Sequence, residues 1–204
     1  MTRGMGLAGA LVLMAAVTVT SAAGAAACPQ AEDIARGVRL TLTDGETEVF
    51  RATSEVLVES RLSQGADTAT RFTYARGVYL LESIDVTAAG PLPDTRSTFA
   101  LPVLPAETPE PLPGHGWGVR MVATYSGELV TEMLGIRFGT EEEVVIGDCR
   151  YTAVPVEQRI YEDGELVARE TRSYLPELGF SYAVAWYEDD NVDRYEYVSI
   201  EAVD

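Results

Sequence analysis

Residues 156–173, VEQRIYEDGELVARETRS, decide the fold. Residues 156–161 and 165–173 flank Glu162-Asp163-Gly164, a run in which Asp-Gly supplies the positive φ angles that a tight hairpin turn requires. The segment therefore reads as two antiparallel strands. The same rhythm extends outward in both directions. Val38, Leu40 and Leu42 alternate with Arg39, Thr41 and Thr43, and Asp44-Gly45 then turns the chain into a strand over 46–52. Further strands are predicted over 54–62, 68–75 (Phe72 and Tyr74 on one face), 117–125, 128–138, 143–146, 149–156, 180–187 and 194–202. Residues 78–86 are apolar on both faces near Val78-Tyr79-Leu80-Leu81, which predicts a central position in a sheet.

Two segments break the alternation. Pro29 suits a first helical position, and the polar residues around Ile34 with Gly37 behind them predict a short N-terminal helix. Residues 91–113 hold Pro91, Pro93, Pro102, Pro105, Pro109, Pro111 and Pro113, and proline cannot donate to a ladder. This stretch reads as a Pro-rich connection, with at most an edge strand over 95–103. The expected fold class is all-β: a mostly antiparallel meander with one short N-terminal helix, built as a sandwich or a curled, partly closed barrel.

Residues 1–27 read as a signal peptide: Arg3 supplies the charge, Leu7 to Val19 the short apolar run, and Ala25-Ala26-Ala27 the small residues before a cleavage site. The remainder, 28–204, is expected to be a single β-rich domain in the periplasm or outside the cell. No later segment approaches the roughly 20 apolar residues of a spanning helix, so no transmembrane segment is expected. Net charge is −17, and about −18 once Arg3 is removed; the basic residues are scattered arginines. Nucleic acid, which needs clustered cations, is excluded as a partner, and basic surfaces are favoured over anionic ones.

Cys28 and Cys149 are the only cysteines, and in an oxidising compartment an even count predicts one disulfide. The competing reading makes Cys28 a lipidated residue at the cleavage point. Ala25, however, stands where a lipobox carries Leu or a similar residue.

No motif specifies a reaction, and no cofactor is expected. Asp189, Asn191 and Asp193 have the first spacings of a calcium loop, but Arg194 and Ile200 replace its Gly and its bidentate Glu, so the run reads as a solvated turn and no metal is assigned. His115 is the one histidine and has no companion ligand or nucleophile. The candidate for ligand binding is the aromatic stripe Phe180, Tyr182, Val184 and Trp186, read as one strand face, with Tyr195 and Tyr197 on the next. In a curled sheet such a stripe is either core or the wall of a cavity for an apolar small molecule or a glycan.

A leader, a short helix and a long meander resemble, in architecture alone, the periplasmic lipoprotein carriers, whose curled sheet holds acyl chains. The expected function is thus a secreted or periplasmic non-catalytic protein for binding, carriage or envelope assembly, with a protein or an apolar ligand as partner. The alternatives are a secreted hydrolase with an atypical carboxylate site, and a structural protein anchored through a lipid on Cys28.

Overall fold

The structure, a computed structural model, describes residues 27–63, 65, 67–188 and 191–203. The predicted leader, apart from Ala27, lies outside the described residues. The described residues form mostly antiparallel sheet with almost no helix, and the sheet is not closed into a barrel. The N-terminal helix is a 3-10 helix, Ala31–Ala35, tied by the Gln30 amide to Asp33 Oδ2 at 2.8 Å.

The strands are β1 (Val38–Leu42), β2 (Thr47–Ala52), β3 (Leu57–Ser63), β4 (Thr68–Ala75), β5 (Tyr79–Thr87), β6 (Gly90–Pro91), β7 (Ser97–Ala100) and β8 (Gly116–Tyr125). They continue with β9 (Glu128–Phe138), β10 (Glu142–Ile146), β11 (Cys149–Glu162), β12 (Glu165–Leu175), β13 (Phe180–Glu188), β14 (Asn191–Arg194) and β15 (Tyr197–Ala202). Their order in the sheet is β14-β13-β12-β11-β9-β8-β7-β5-β4-β3-β2-β1-β15, with β10 paired to β11 and β6 to β5. The hairpin of residues 156–173 is the β11–β12 pair, and Asp163 (φ 50°) and Gly164 (φ 89°) form its two-residue turn. Ser126 and Gly127 repeat that geometry between β8 and β9.

Three expectations are corrected. The proline-free window Ser97–Ala100 is not an edge strand: it lies between β5 and β8 and joins the two halves of the sheet. Residues 149–161 are one strand and not two. Pro155 is tolerated inside it because β11 changes partners there: its first part pairs with β10, its later part with β9 from Val156 onward, and the Pro155 carbonyl accepts from the Gly139 amide at 2.7 Å. Residues 194–202, finally, divide at Tyr195-Glu196.

That division shapes the molecule. β14 lies at one end of the sheet and β15 at the other, yet only two residues separate them in the chain. Arg194 and Tyr197 are three residue steps apart, which reaches roughly 10 Å when extended, so the ends of the sheet must lie side by side. The Tyr195 amide donates to Val184 O at 3.0 Å, while Glu196 O accepts from the Thr43 amide at 2.9 Å. The sheet is therefore curled into a ring whose seam is crossed by consecutive residues.

One end of the ring is pinned by the β4–β5 turn. Gly77 O accepts from the Ser181 amide at 2.9 Å and from Ser181 Oγ at 2.7 Å, while Gln158 Nε2 donates to Val78 O at 3.2 Å. Gly77 has φ 66°, and a Cβ there would stand 2.3 Å from the Gly179 carbonyl oxygen and 2.6 Å from Phe180 Cα. Both contacts are backbone, so neither can yield by a side-chain rotation. Gly77→Ala is expected to combine left-handed strain of about 1–2 kcal/mol with an overpacking cost of about 1–3 kcal/mol. Chemical denaturation would read the sum, and a loss below about 1 kcal/mol would show that the turn can lift off β13.

The core has two main parts. Val38, Leu40, Phe50, Ile146, Tyr151, Leu175 and Phe180 fill the region under the β10–β11 hairpin, and Val78, Tyr79, Val119, Leu134, Ile136, Phe138 and Val156 fill the region beside it. Cys28 is bonded to Cys149, with 5.5 Å between their Cα atoms, and Tyr151 Oη donates to Pro29 O at 3.0 Å. The N-terminal segment is thereby fixed against β11.

A cavity inside the curled sheet as candidate ligand site

Because the sheet curls, side chains from β2 through β13 converge on one space. It is a cavity of about 470 Å³, and its apolar walls include Leu62, Phe72, Leu80, Phe99, Met121, Leu134, Ile160 and Ala183. This volume falls within the range of ordinary small-molecule sites, about 300–1,000 Å³. Tyr125, Val167 and Glu188, which are exposed among its lining, mark its mouth at the end of the ring that carries the β8–β9 and β11–β12 turns. Val167 is a bulged residue: Ile160 pairs with Ala168 and Tyr161 with Leu166, so Val167 faces no partner.

Charged groups sit within this apolar space. Arg172, 5% exposed, donates from Nη1 to Glu170 Oε1 at 2.6 Å, from Nε to Ser181 Oγ at 2.9 Å and from Nη2 to Ser181 O at 2.7 Å. Its guanidinium also lies 5.0 Å from the centre of the Tyr74 ring. Burial opposes its charge, but Glu170, Tyr74 and Glu48 more than offset that and hold its pKa above the ordinary value. Glu48 is equally buried, and the Tyr197 hydroxyl lies 3.5 Å from its Oε2. Desolvation pushes the Glu48 carboxyl up, with Arg172 opposing. Glu132 lines the cavity nearer the mouth and is 4% exposed.

A second concavity, about 830 Å³ and more open to solvent, runs along the outside of the seam between β10 and the Tyr195-Glu196 crossing. Arg172, Tyr195 and Tyr197 line both spaces and so form the partition between them.

The aromatic stripe of β13 is divided among these environments. Phe180 is fully buried and stacks on Phe50 with ring centroids 4.1 Å apart. Tyr182 packs edge-on against Tyr197 at 5.0 Å and borders the outer groove together with Val184. Trp186 lines the inner cavity with Ala183. The expectation that Phe180, Tyr182, Val184 and Trp186 share a face is corrected, because Thr171 pairs with Ala185 and Arg172 with Ala183, leaving Val184 as a bulge that reverses the alternation. The charged set Glu48, Glu132, Glu170 and Arg172 escaped the sequence reading, although a signal was there: Glu48 is in phase with the buried Phe50 along β2, and Glu132 with the buried Leu134, Ile136 and Phe138 along β9.

His115 is exposed, with its Nδ1 3.0 Å from Pro113 O. Asp189 and Asp190 of the acidic turn lie outside the described residues. Among the described residues, no cluster of His, Cys, Asp or Glu has the arrangement of a metal site, and no helix is long and apolar enough to cross a membrane. In comparisons with known proteins, no family model, no curated protein and no solved structure matches this chain.

Proposed function

We propose that this chain is a secreted or periplasmic, non-catalytic binding protein that carries an apolar or amphiphilic small molecule inside its curled sheet. The observation that carries this reading is the cavity of about 470 Å³, walled by apolar side chains from both halves of the sheet and opening beside Tyr125 and Val167. A fully packed interior would leave no such space, since protein cores hold few voids larger than a water molecule. The leader read at residues 1–27 and the Cys28–Cys149 disulfide agree with work outside the cytosol. The Cys28 sulfur is held in that bridge, which leaves it no valence for a thioether-linked lipid and weighs against the anchored alternative.

The neutral fluorophore N-phenyl-1-naphthylamine tests the reading directly. It is expected to bind at a single saturable site with enhanced emission and to change the fluorescence of Trp186, which lines the cavity. Ala183→Phe fills the cavity from within and Val167→Trp narrows its mouth; each should weaken binding at least about tenfold while the far-ultraviolet circular dichroism of the sheet is retained. Absence of saturable binding, or equal binding by both variants, would overturn the proposal.

A further inference from the structure

The chemistry of the cavity wall points to the class of ligand, and this step rests on the carrier reading above. Glu132 is 4% exposed, and its Oε1 accepts from the Tyr125 hydroxyl at 3.0 Å. Its Oε2 is buried in the same wall and has no hydrogen-bond partner. A buried carboxylate oxygen left without a donor is costly, and the cost disappears once a donor or a cation arrives.

The other charges of the cavity narrow what that arrival can be. Glu48, Glu132, Glu170 and Glu188 contribute carboxyl groups, whereas Arg172 is the one basic residue among the described lining, and its guanidinium is already engaged by Glu170 and Ser181. An anionic head group would meet several acids and no unengaged cation. A cationic head group would meet Glu132, together with aromatic rings that attract cations over their faces: Tyr125, packed edge-on against Phe99 at 5.8 Å, and Trp186. The apolar remainder of the wall, Leu62, Met121, Leu134 and Ile160, suits an aliphatic chain.

We infer that the cavity takes an amphiphile with a protonated amine head, received at the Glu132 carboxylate, and an alkyl chain lying against the apolar wall. Decylamine, decanol and decanoate share one chain and differ only in the head, so each is titrated below its micelle concentration against the bound naphthylamine probe. Decylamine should displace the probe at least about tenfold more effectively than decanol, and decanol more effectively than decanoate. Glu132→Gln, which keeps the shape and removes the charge, should abolish the advantage of the amine and leave decanol within about twofold.

The general acidity of the chain is controlled by Glu55→Gln, which removes the same charge from an exposed residue in the β2–β3 turn, at the end of the ring away from the mouth. That variant should leave the amine preference intact. Equal displacement by all three compounds, a preference for decanoate, or an equal loss in both variants would overturn the amine assignment while leaving the carrier reading standing. Failure of the probe itself to bind would remove both. The head-group ranking in the unaltered protein decides the matter even if Glu132→Gln does not fold.

Discussion

Replacing both Cys28 and Cys149 with serine is expected to lower the stability of the folded chain by about 4–5 kcal/mol in the chain-entropy account of disulfides. The residues are 121 positions apart, so the bridge restricts the unfolded chain over most of its length. At the size of this protein each kcal/mol shifts the melting temperature by about 2–4 °C, which translates to a fall of roughly 8–20 °C. Local packing sets where the loss begins. Cys149 is buried beside Ile146 and Tyr151, and the N-terminal segment otherwise rests on β11 through the Tyr151 hydroxyl bond to Pro29. Without the bridge that segment should detach first, and its amides should lose hydrogen-exchange protection before those of β11. Thermal melts of the double variant and of the reduced parent should agree with each other. A fall of less than about 3 °C would show that noncovalent contacts already hold the N-terminus.

Much of the sheet could be read from local chemistry because its hairpins are local. Asp163-Gly164 and Ser126-Gly127 supply consecutive positive φ angles, and the flanking alternation then sets which side chains face inward. The pairing of β1 with β15 could not be read in this way, since it depends on how far the whole sheet curls. The candidate site shows the same division. Trp186 lines the cavity, as one of the two roles considered for the stripe allows, whereas Phe180 has the other role and sits in the core. What separated them is the bulge at Val184, and a bulge leaves no mark in period-two alternation. Arg172 and Glu48 illustrate a further limit. Each is in phase with a buried apolar residue of its own strand, Glu48 with Phe50 and Arg172 with Ala168, so alternation gives the face, but which charges meet there follows from the opposite wall being brought over them.

Arg172→Met should destabilise the fold by about 3–5 kcal/mol, because the deletion leaves the acids around it without their cation. The guanidinium makes three hydrogen bonds, one to Glu170 and two to Ser181, and methionine replaces none of them. The loss should also depend on pH, and the buried Glu48 fixes the direction. Burial raises the Glu48 pKa above the ordinary 4.5, and Arg172 partly pulls it back. A carboxyl whose pKa is higher folded than unfolded binds protons more tightly in the folded state. Its penalty is therefore absent below the unfolded value, grows as pH rises between the two values, and is complete above the folded one. Without Arg172 the folded value moves further up, so the deficit of the variant relative to the parent should be smaller at pH 5 than at pH 8. Urea unfolding at the two pH values measures this directly. Adding Glu48→Gln to Arg172→Met should remove much of the extra loss at pH 8 and flatten the difference between the two conditions. Arg172→Lys should recover only part of the stability, since an ammonium keeps the charge but cannot span Glu170 and Ser181 with one planar fork. An equal deficit at both pH values, unchanged by Glu48→Gln, would show that Glu48 draws no support from Arg172 and that the guanidinium acts through Glu170 and Ser181 alone.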